Sequence, residues 1–224
     1  MNNALDNPAY RHLFDNNRAW VDRVRRTDPG LFERLAQQQA PKYFWIGCSD
    51  SRVPANEIID LAPGEVFVHR NVANVMPQSD LNALSTLQFA VDILQVEHVL
   101  VVGHYHCSGI KTVLDGRRVG LADNWLGHVR EVMDSHAGRL ADLSGPQARY
   151  DRLCELNALE QARNVCRTTV LQDAWSRGQN VTVHACIYGL KDGLLRDLDY
   201  SVGRASEIYR QFDVALRRLT SAAG

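Results

Sequence analysis

The chain alternates short apolar runs with longer segments in which apolar residues recur every three or four positions. Short apolar runs bounded by glycine, proline or polar residues are typical of buried β-strands, whereas the longer period is typical of amphipathic helices. We predict strands at residues 42–47, 65–70, 98–103 and 181–188, and a fifth strand, at an edge of the sheet, at 195–202.

Helix start signals agree with this alternation. Asn7 and Pro8 supply a cap followed by a favourable first-turn proline, and Asp80 caps a segment with Leu84 and Leu87 on one face. A break at residues 28–30 separates the first two helices. The predicted helices are residues 7–25, 31–39, 80–94, a short segment after position 107, 123–136, 148–170 and 205–219.

Strands that alternate with helices predict an α/β fold, with a mostly parallel β-sheet of four to five strands flanked by helices. No linker interrupts the pattern, so we expect a single domain over residues 1–224. Within it, residues 1–40 would form an N-terminal helical arm that packs on a partner subunit, and helices would also close the C-terminal end.

The charge balance argues against two classes of partner. With 25 basic and 26 acidic residues, the net charge is -1, which gives no field to attract nucleic acid or an acidic membrane surface. No apolar run approaches the length of a membrane span. Residues 1–6 lack the basic and apolar regions of a signal peptide, so we expect a cytoplasmic protein.

The five cysteines differ in their surroundings. An odd number argues against a disulfide framework. Cys154, Cys166 and Cys186 lie in apolar helix or strand patterns, and we interpret them as core residues. Cys48 and Cys107 instead follow predicted strands, where metal ligands and nucleophiles are found, and we interpret them as metal ligands.

Cys48, His104 and Cys107 follow the first and third predicted strands. Because ligands collect at the carboxyl ends of parallel strands, these side chains can converge on one ion. Two thiolates and an imidazole favour tetrahedral zinc, Zn²⁺. Asp50 can supply a fourth ligand, and Arg52 offers that carboxylate a bidentate partner that keeps it off the metal. A site whose fourth ligand can leave is typical of catalytic zinc.

Several other interpretations of these residues remain open. The two cysteines could be inert core thiols, the zinc could be structural, and Asp50 with Arg52 could form an exposed ion pair of little consequence. A cysteine-nucleophile hydrolase, in which His104 activates Cys48 or Cys107, is a further possibility. So is a binding module that holds zinc without catalysis.

Three blocks of sequence stand in an order that is specific to one enzyme family. Residues 45–54 contain a C-x-D-x-R motif, residues 64–74 form the next block, and residues 103–109 contain an H-x-x-C motif. With these blocks, the chain closely resembles the β-class carbonic anhydrases. Weaker similarity continues through residues 154–157, 188–189 and 192–193, so the resemblance covers most of the chain.

The resemblance implies the reversible hydration of CO₂ to bicarbonate and a proton. It implies one zinc ion per chain on Cys48, His104 and Cys107, with water as the fourth ligand while Asp50 pairs with Arg52. It also implies a homo-oligomer, a dimer or a tetramer. The corresponding substrate-binding positions are Gln39, Phe67 and Phe89, and we expect Val53 and Gly109 to line the same mouth.

A regulated subset of that family binds bicarbonate beside the active site through a Trp, an Arg and a Tyr. The matching positions are Trp45, Arg70 and Tyr188, so we hypothesise that this chain belongs to the subset. Bicarbonate at this allosteric site, favoured by low pH, would free Asp50 from Arg52 and let the carboxylate bind zinc, which would switch the enzyme off.

Two positions depart from the family pattern. Relatives often have a small residue at position 106 and glycine at position 108, where this chain has His106 and Ser108. Because the unperturbed pKa of histidine lies near physiological pH, His106 is a candidate proton carrier. The alternative is that His106 is simply an exposed loop residue.

Overall fold

A computed structural model describes residues 7–37 and 39–221. Residues 1–6, and Gln38 within the second predicted helix, lie outside the described residues. The strands are β1 (Tyr43–Cys48), β2 (Val66–Asn71), β3 (His98–His104), β4 (Thr182–Tyr188) and β5 (Leu195–Val202). The helices are α1 (Pro8–Thr27), α2 (Leu31–Gln37), α3 (Ala55–Ile58), α4 (Leu81–Gln88, continued by a π-helical turn, Phe89–Ile93), α5 (Ser108–Leu114), α6 (Ala122–Ser135), α7 (Ala137–Ala141), α8 (Pro146–Cys166), α9 (Thr169–Ser176) and α10 (Ile208–Ser221).

The chain forms two compact units, residues 1–39 and residues 40–224. The first corresponds closely to the predicted arm and contains α1 and α2. Inside it, the rings of Trp20 and Phe32 meet edge to face, with centroids 5.5 Å apart, and Arg34 pairs with Asp28. The packing of this arm on a partner subunit stays a prediction.

The second unit contains a five-stranded sheet with the strand order β2-β1-β3-β4-β5. All neighbouring strands are parallel except β4 and β5, which are antiparallel. The predicted α/β fold with a mostly parallel sheet is therefore confirmed. The inner strand β1 is apolar because both of its faces are covered: Phe44, Trp45 and Ile46 are fully buried.

Two groups of buried side chains lie on the sheet. The larger one includes Leu153, Leu156 and Leu159 of α8, the longest helix of this unit. The smaller one consists of the buried residues Trp45, Val53, Ala55, Val102 and Cys186. The cysteines predicted to be core residues, Cys154, Cys166 and Cys186, are all buried. Among the described residues, no helix is long and apolar enough to cross a membrane.

The predicted helix 148–170 is wrong at its C-terminal end. α8 stops at Cys166, and the Thr168 hydroxyl accepts a hydrogen bond from the N–H of Leu171, so Thr168 caps a separate helix, α9. An N-cap threonine satisfies a backbone donor that a continuous helix would have bonded itself. Apolar periodicity runs through both helices and therefore hides the break.

A histidine pair near the start of β3 and β4 predicts how stability depends on pH. His184 contacts His98 (Nε2 to Nδ1, 3.1 Å) and Ser201 (Nδ1 to Oγ, 2.8 Å). Burial, and then the charge of His98, lower the pKa of His184, while Asp197 acts weakly in the opposite direction. A histidine in the unfolded chain has a pKa of about 6.5. Just below that pH the unfolded chain therefore binds a proton that the folded chain does not.

We expect the free energy of unfolding to be highest above about pH 6.5 and to fall as the pH drops toward the folded-state pKa of His184. One such group contributes a slope of at most about 1.4 kcal/mol per pH unit. Denaturant titrations at several pH values should therefore show a shallower fall in a His184→Gln variant than in the parent. Identical slopes would contradict this assignment.

Candidate metal centre

Three buried side chains meet at the carboxyl edge of the sheet. Cys48 ends β1, His104 ends the adjacent parallel strand β3, and Cys107 immediately precedes α5. Their ligand atoms all lie within 4.8 Å of one another, and the two sulfur atoms are 3.9 Å apart. The convergence expected from the strand ends is present. The hydroxyl of Tyr150 on α8 donates to the Cys107 carbonyl at 2.7 Å and fixes that end of the loop.

The donor set fits zinc. Two thiolates on a tetrahedral zinc ion, each at about 2.3 Å, lie about 3.8 Å apart, close to the spacing of Cys48 and Cys107. The Nδ1 atom of His104 lies 3.0 Å from the carbonyl oxygen of Tyr105, which favours a proton on Nδ1 and leaves Nε2 free as a ligand. Among the described residues, His104 Nε2 is buried and has no hydrogen-bond partner. A metal ion would satisfy it.

The two thiols share their protons unequally. A hydrogen bond from Cys107, together with His104, lowers the pKa of Cys48. The same contact with Cys48, together with burial, raises the pKa of Cys107. The shared contact therefore favours one negative charge on the pair, and zinc binding to both sulfur atoms would release a proton from it.

Asp50 is held by Arg52 in a bidentate pair. Arg52 donates from Nε to Oδ1 at 2.9 Å and from Nη2 to Oδ2 at 2.7 Å, and its backbone N–H also donates to Oδ1 at 3.0 Å. These bonds, the Arg52 side chain first, hold the pKa of Asp50 well below its usual range. Asp50 Oδ2 also lies 3.9 Å from His104 Nε2. The carboxylate is thus charged, next to the ligand cluster, and turned toward Arg52.

Arg70 binds the backbone of this loop, and the small cluster that contains Trp45 lies on the opposite face of β1. It donates from Nε to the Cys48 carbonyl at 2.7 Å and from Nη2 to the Asp50 carbonyl. Trp45 is fully buried, and its Nε1 has no hydrogen-bond partner among the residues that the structure describes. The indole lies over Gly47, where a Cβ would come within 2.2 Å of Nε1.

Comparison with known proteins identifies the family. The carbonic anhydrase family profile matches residues 43–195, which include the whole ligand cluster. A carbonic anhydrase from Emericella nidulans is 45% identical over 187 residues, covering 84% of this chain and 82% of the relative. The chain belongs to the β-class carbonic anhydrase family. Zinc, the cofactor predicted from the sequence, is the metal of this class and fits the Cys48, His104 and Cys107 cluster.

Solved structures of β-carbonic anhydrases share this fold. The Coccomyxa enzyme in complex with acetazolamide superposes with a TM-score of 0.82 at 39% identity, covering 87% of this chain and 88% of that one. A tetrameric enzyme from Sordaria macrospora superposes with a TM-score of 0.81 at 33% identity, covering 87% of this chain and 98% of that one. The mostly parallel sheet is therefore the architecture of the class.

The residues expected to bind substrate differ in their exposure and in their neighbours. Phe67 and Phe89 stack with centroids 5.9 Å apart, and Phe89 is 43% exposed. Gly109 is buried, and an added Cβ would meet Val72 at 3.2 Å. Val53 is fully buried in the small cluster with Trp45. Gln39 is exposed and belongs to the N-terminal unit. Their roles stay predictions.

His106 and Ser108, the two departures from the family pattern, flank Cys107. His106 has a φ of +60°, a left-handed conformation that is uncommon for a side chain of this size, and its ring meets Tyr150 edge to face at 6.0 Å. Its carbonyl accepts a hydrogen bond from Arg52 at 3.3 Å. Ser108 begins α5. The proton-carrier role of His106 stays a prediction.

The sequence analysis assigned no role to several residues that flank or hold the backbone segment bound to Cys48. Val72 is 43% exposed and directly precedes Ala73, whose N–H donates to Cys48 Sγ at 3.4 Å. Asn157 and Gln161 are buried amides of α8 whose partners are backbone groups just after β2. Their spacing of four residues within an apolar helix face was the available signal, because buried amides require partners.

Proposed function

We propose that this chain catalyses the reversible hydration of CO₂ to bicarbonate and a proton, with zinc on Cys48, His104 and Cys107. The observation that carries the proposal is the buried cluster of three ligand atoms beside the paired Asp50 and Arg52. Zinc bound here would supply the Lewis acid that makes a water molecule nucleophilic, chemistry best known from the three-histidine site of other carbonic anhydrases.

Asp50 is the group that we assign to orient the attacking water. Its Oδ2 is the carboxylate oxygen beside the ligand cluster, and it accepts a hydrogen bond from the water while Arg52 keeps it charged and turned away from the metal position. Because Arg52 fills lone pairs on both oxygens, the carboxylate holds one orientation. We propose that the stacked Phe67 and Phe89 give CO₂ an apolar surface.

We also propose that the chain acts as a homo-oligomer, a dimer or a tetramer. The tetrameric Sordaria macrospora structures support assembly in this family. The chain also exposes large apolar side chains, whose contact with water is unfavourable. They include Val68, Val72, Phe89, Ile93 and Leu121.

The direct test of the reaction measures zinc content and CO₂ hydration together. We expect one zinc per chain, loss of stopped-flow CO₂ hydration after chelation, and recovery on adding zinc. Activity that survives metal removal and is blocked by thiol alkylation would instead support the cysteine hydrolase. Stoichiometric zinc without turnover would support the binding module.

We propose further that Trp45, Arg70 and Tyr188 bind bicarbonate and switch the enzyme off. The unpartnered Nε1 of Trp45 supports this, since a buried donor without a partner favours an anion. Tyr188 packs in the same small cluster as Trp45, and Arg70 lies in register with Gly47. An anion that draws Arg70 away would release the carbonyls of Cys48 and Asp50, and with them the hold of Arg52 on Asp50.

A Trp45→Phe variant should be less sensitive to bicarbonate. The change removes one hydrogen bond to a charged ligand, worth about 1.5–3 kcal/mol, so the inhibition constant should rise about 10–100-fold. The measurement is CO₂ hydration against added bicarbonate, repeated along the pH–rate profile. The control is Trp175→Phe, because Trp175 donates its Nε1 to the Val181 carbonyl at 2.8 Å. Superimposable inhibition curves for parent and Trp45→Phe would refute the switch.

A further inference from the structure

A series of hydrogen bonds joins helix α8 to the sulfur of Cys48. Gln161 Nε2 donates to Asn157 Oδ1 at 3.2 Å, and Asn157 Nδ2 donates to the Ala73 carbonyl at 2.9 Å. The N–H of Ala73 in turn donates to Cys48 Sγ at 3.4 Å. All four residues are buried. The series therefore runs from the helix to a proposed zinc ligand through buried residues alone.

The backbone at the centre of this series is in an unfavourable conformation. Ala73 has a φ of +64° and Asn74 a φ of +46°, two successive left-handed residues with neither a glycine. Such conformations persist where the surroundings hold them. Here Asn157 binds the Ala73 carbonyl, and Gln161 Oε1 accepts from the N–H of Met76 at 2.8 Å. The two amides thus clamp both ends of the turn formed by residues 73–76.

We propose that Asn157 and Gln161 are positioning residues of the metal centre. By clamping the 73–76 turn, they keep the Ala73 N–H aimed at the Cys48 sulfur. An N–H donated to a thiolate withdraws charge from the sulfur and fixes its position, so it tunes the bond that the sulfur makes to a metal. The inference rests on the proposed ligand set, in which Cys48 binds zinc.

The test uses the full-length protein, stripped by chelation and reloaded with Zn²⁺ or Co²⁺. In Asn157→Ala, the loss of the clamp should lower zinc affinity about 10–100-fold. In the cobalt-loaded protein, the thiolate-to-metal charge-transfer band should move to longer wavelength, because a sulfur that accepts fewer hydrogen bonds releases charge more easily. Gln161→Met, of similar volume, should likewise lower the zinc affinity and move the band to longer wavelength.

The matched control is Val165→Ala, which truncates a fully buried apolar side chain on the same helix. It should lower the melting temperature while leaving zinc affinity and the cobalt band as in the parent. Equal zinc affinity and band position in parent and Asn157→Ala would overturn the inference, as would the same band shift in Val165→Ala.

Two further outcomes are distinguishable. If Asn157→Ala does not fold, Gln161→Met decides by the same two measurements, and an unchanged band there overturns the inference. If Cys48→Ser retains the parent's zinc affinity, Cys48 is not a ligand, and the proposed ligand set falls together with this inference. If Cys48→Ser loses zinc while Asn157→Ala keeps the parent's zinc affinity and band position, only the positioning role is overturned.

Discussion

A Cys107→Ala variant should fail to retain zinc and should hydrate CO₂ no faster than the uncatalysed reaction. Cys107 is 2% exposed and contributes one of the three ligand atoms within 4.8 Å. Alanine leaves a site with one thiolate and one imidazole, and Zn²⁺ sites in enzymes usually have three protein ligands. Metal analysis and stopped-flow hydration on the same preparation measure both losses.

The matched control is Cys166→Ala. Burial raises the pKa of Cys166 to about 12, so this thiol stays neutral, and it is a core residue at the C-terminal end of α8. The variant should keep one zinc per chain and full turnover with lower thermal stability. Zinc bound stoichiometrically by Cys107→Ala would contradict the ligand set, and turnover at the parental rate would remove Cys107 from the chemistry.

The ligand cluster was predictable because it depends on one general property of parallel sheets. Cys48 and His104 are distant in sequence, yet each ends a strand, and β1 and β3 are neighbours that point the same way. The pairing of Asp50 with Arg52 was predictable for a different reason: the two residues are only two positions apart. Apolar runs likewise predicted the inner strands β1, β3 and β4, since buried strands have little polar sequence.

The contacts of α8 were not predictable in the same way. Asn157 reaches the Ala73 carbonyl across 84 residues, and only the packed position of the helix brings them together. The sequence marks Asn157 as a polar residue in an apolar helix, which indicates a partner but not which one. Val53 shows that neighbours in sequence can have different surroundings. Arg52 pairs with Asp50 at the site, whereas Val53 is buried beside Trp45.

Substitution of either Asp50 or Arg52 should lower kcat, whereas substitution of an exposed ion pair without a catalytic role would not. Asp50→Asn replaces the charged carboxylate that orients water by a neutral amide with one acceptor oxygen, and it should lower kcat about 10²–10⁴-fold, the usual range for a general acid–base group. Arg52→Ala leaves the Asp50 carboxylate charged and held only by the backbone N–H of residue 52, so it can turn toward the ligand cluster and take the metal's fourth position. We expect a comparable loss of kcat with zinc fully retained.

The double variant separates the two explanations for Arg52. If Arg52 acts only by holding Asp50, Asp50→Asn with Arg52→Ala should be no slower than Asp50→Asn alone, because no carboxylate remains to block the metal. Arg204→Gln is the control: Arg204 pairs with Glu207 on the surface and is 71% exposed, so its loss should leave turnover unchanged. Additive losses in the double variant would mean that Arg52 has a separate role in catalysis, and a parental rate in Arg52→Ala would reduce the pair to an ordinary ion pair.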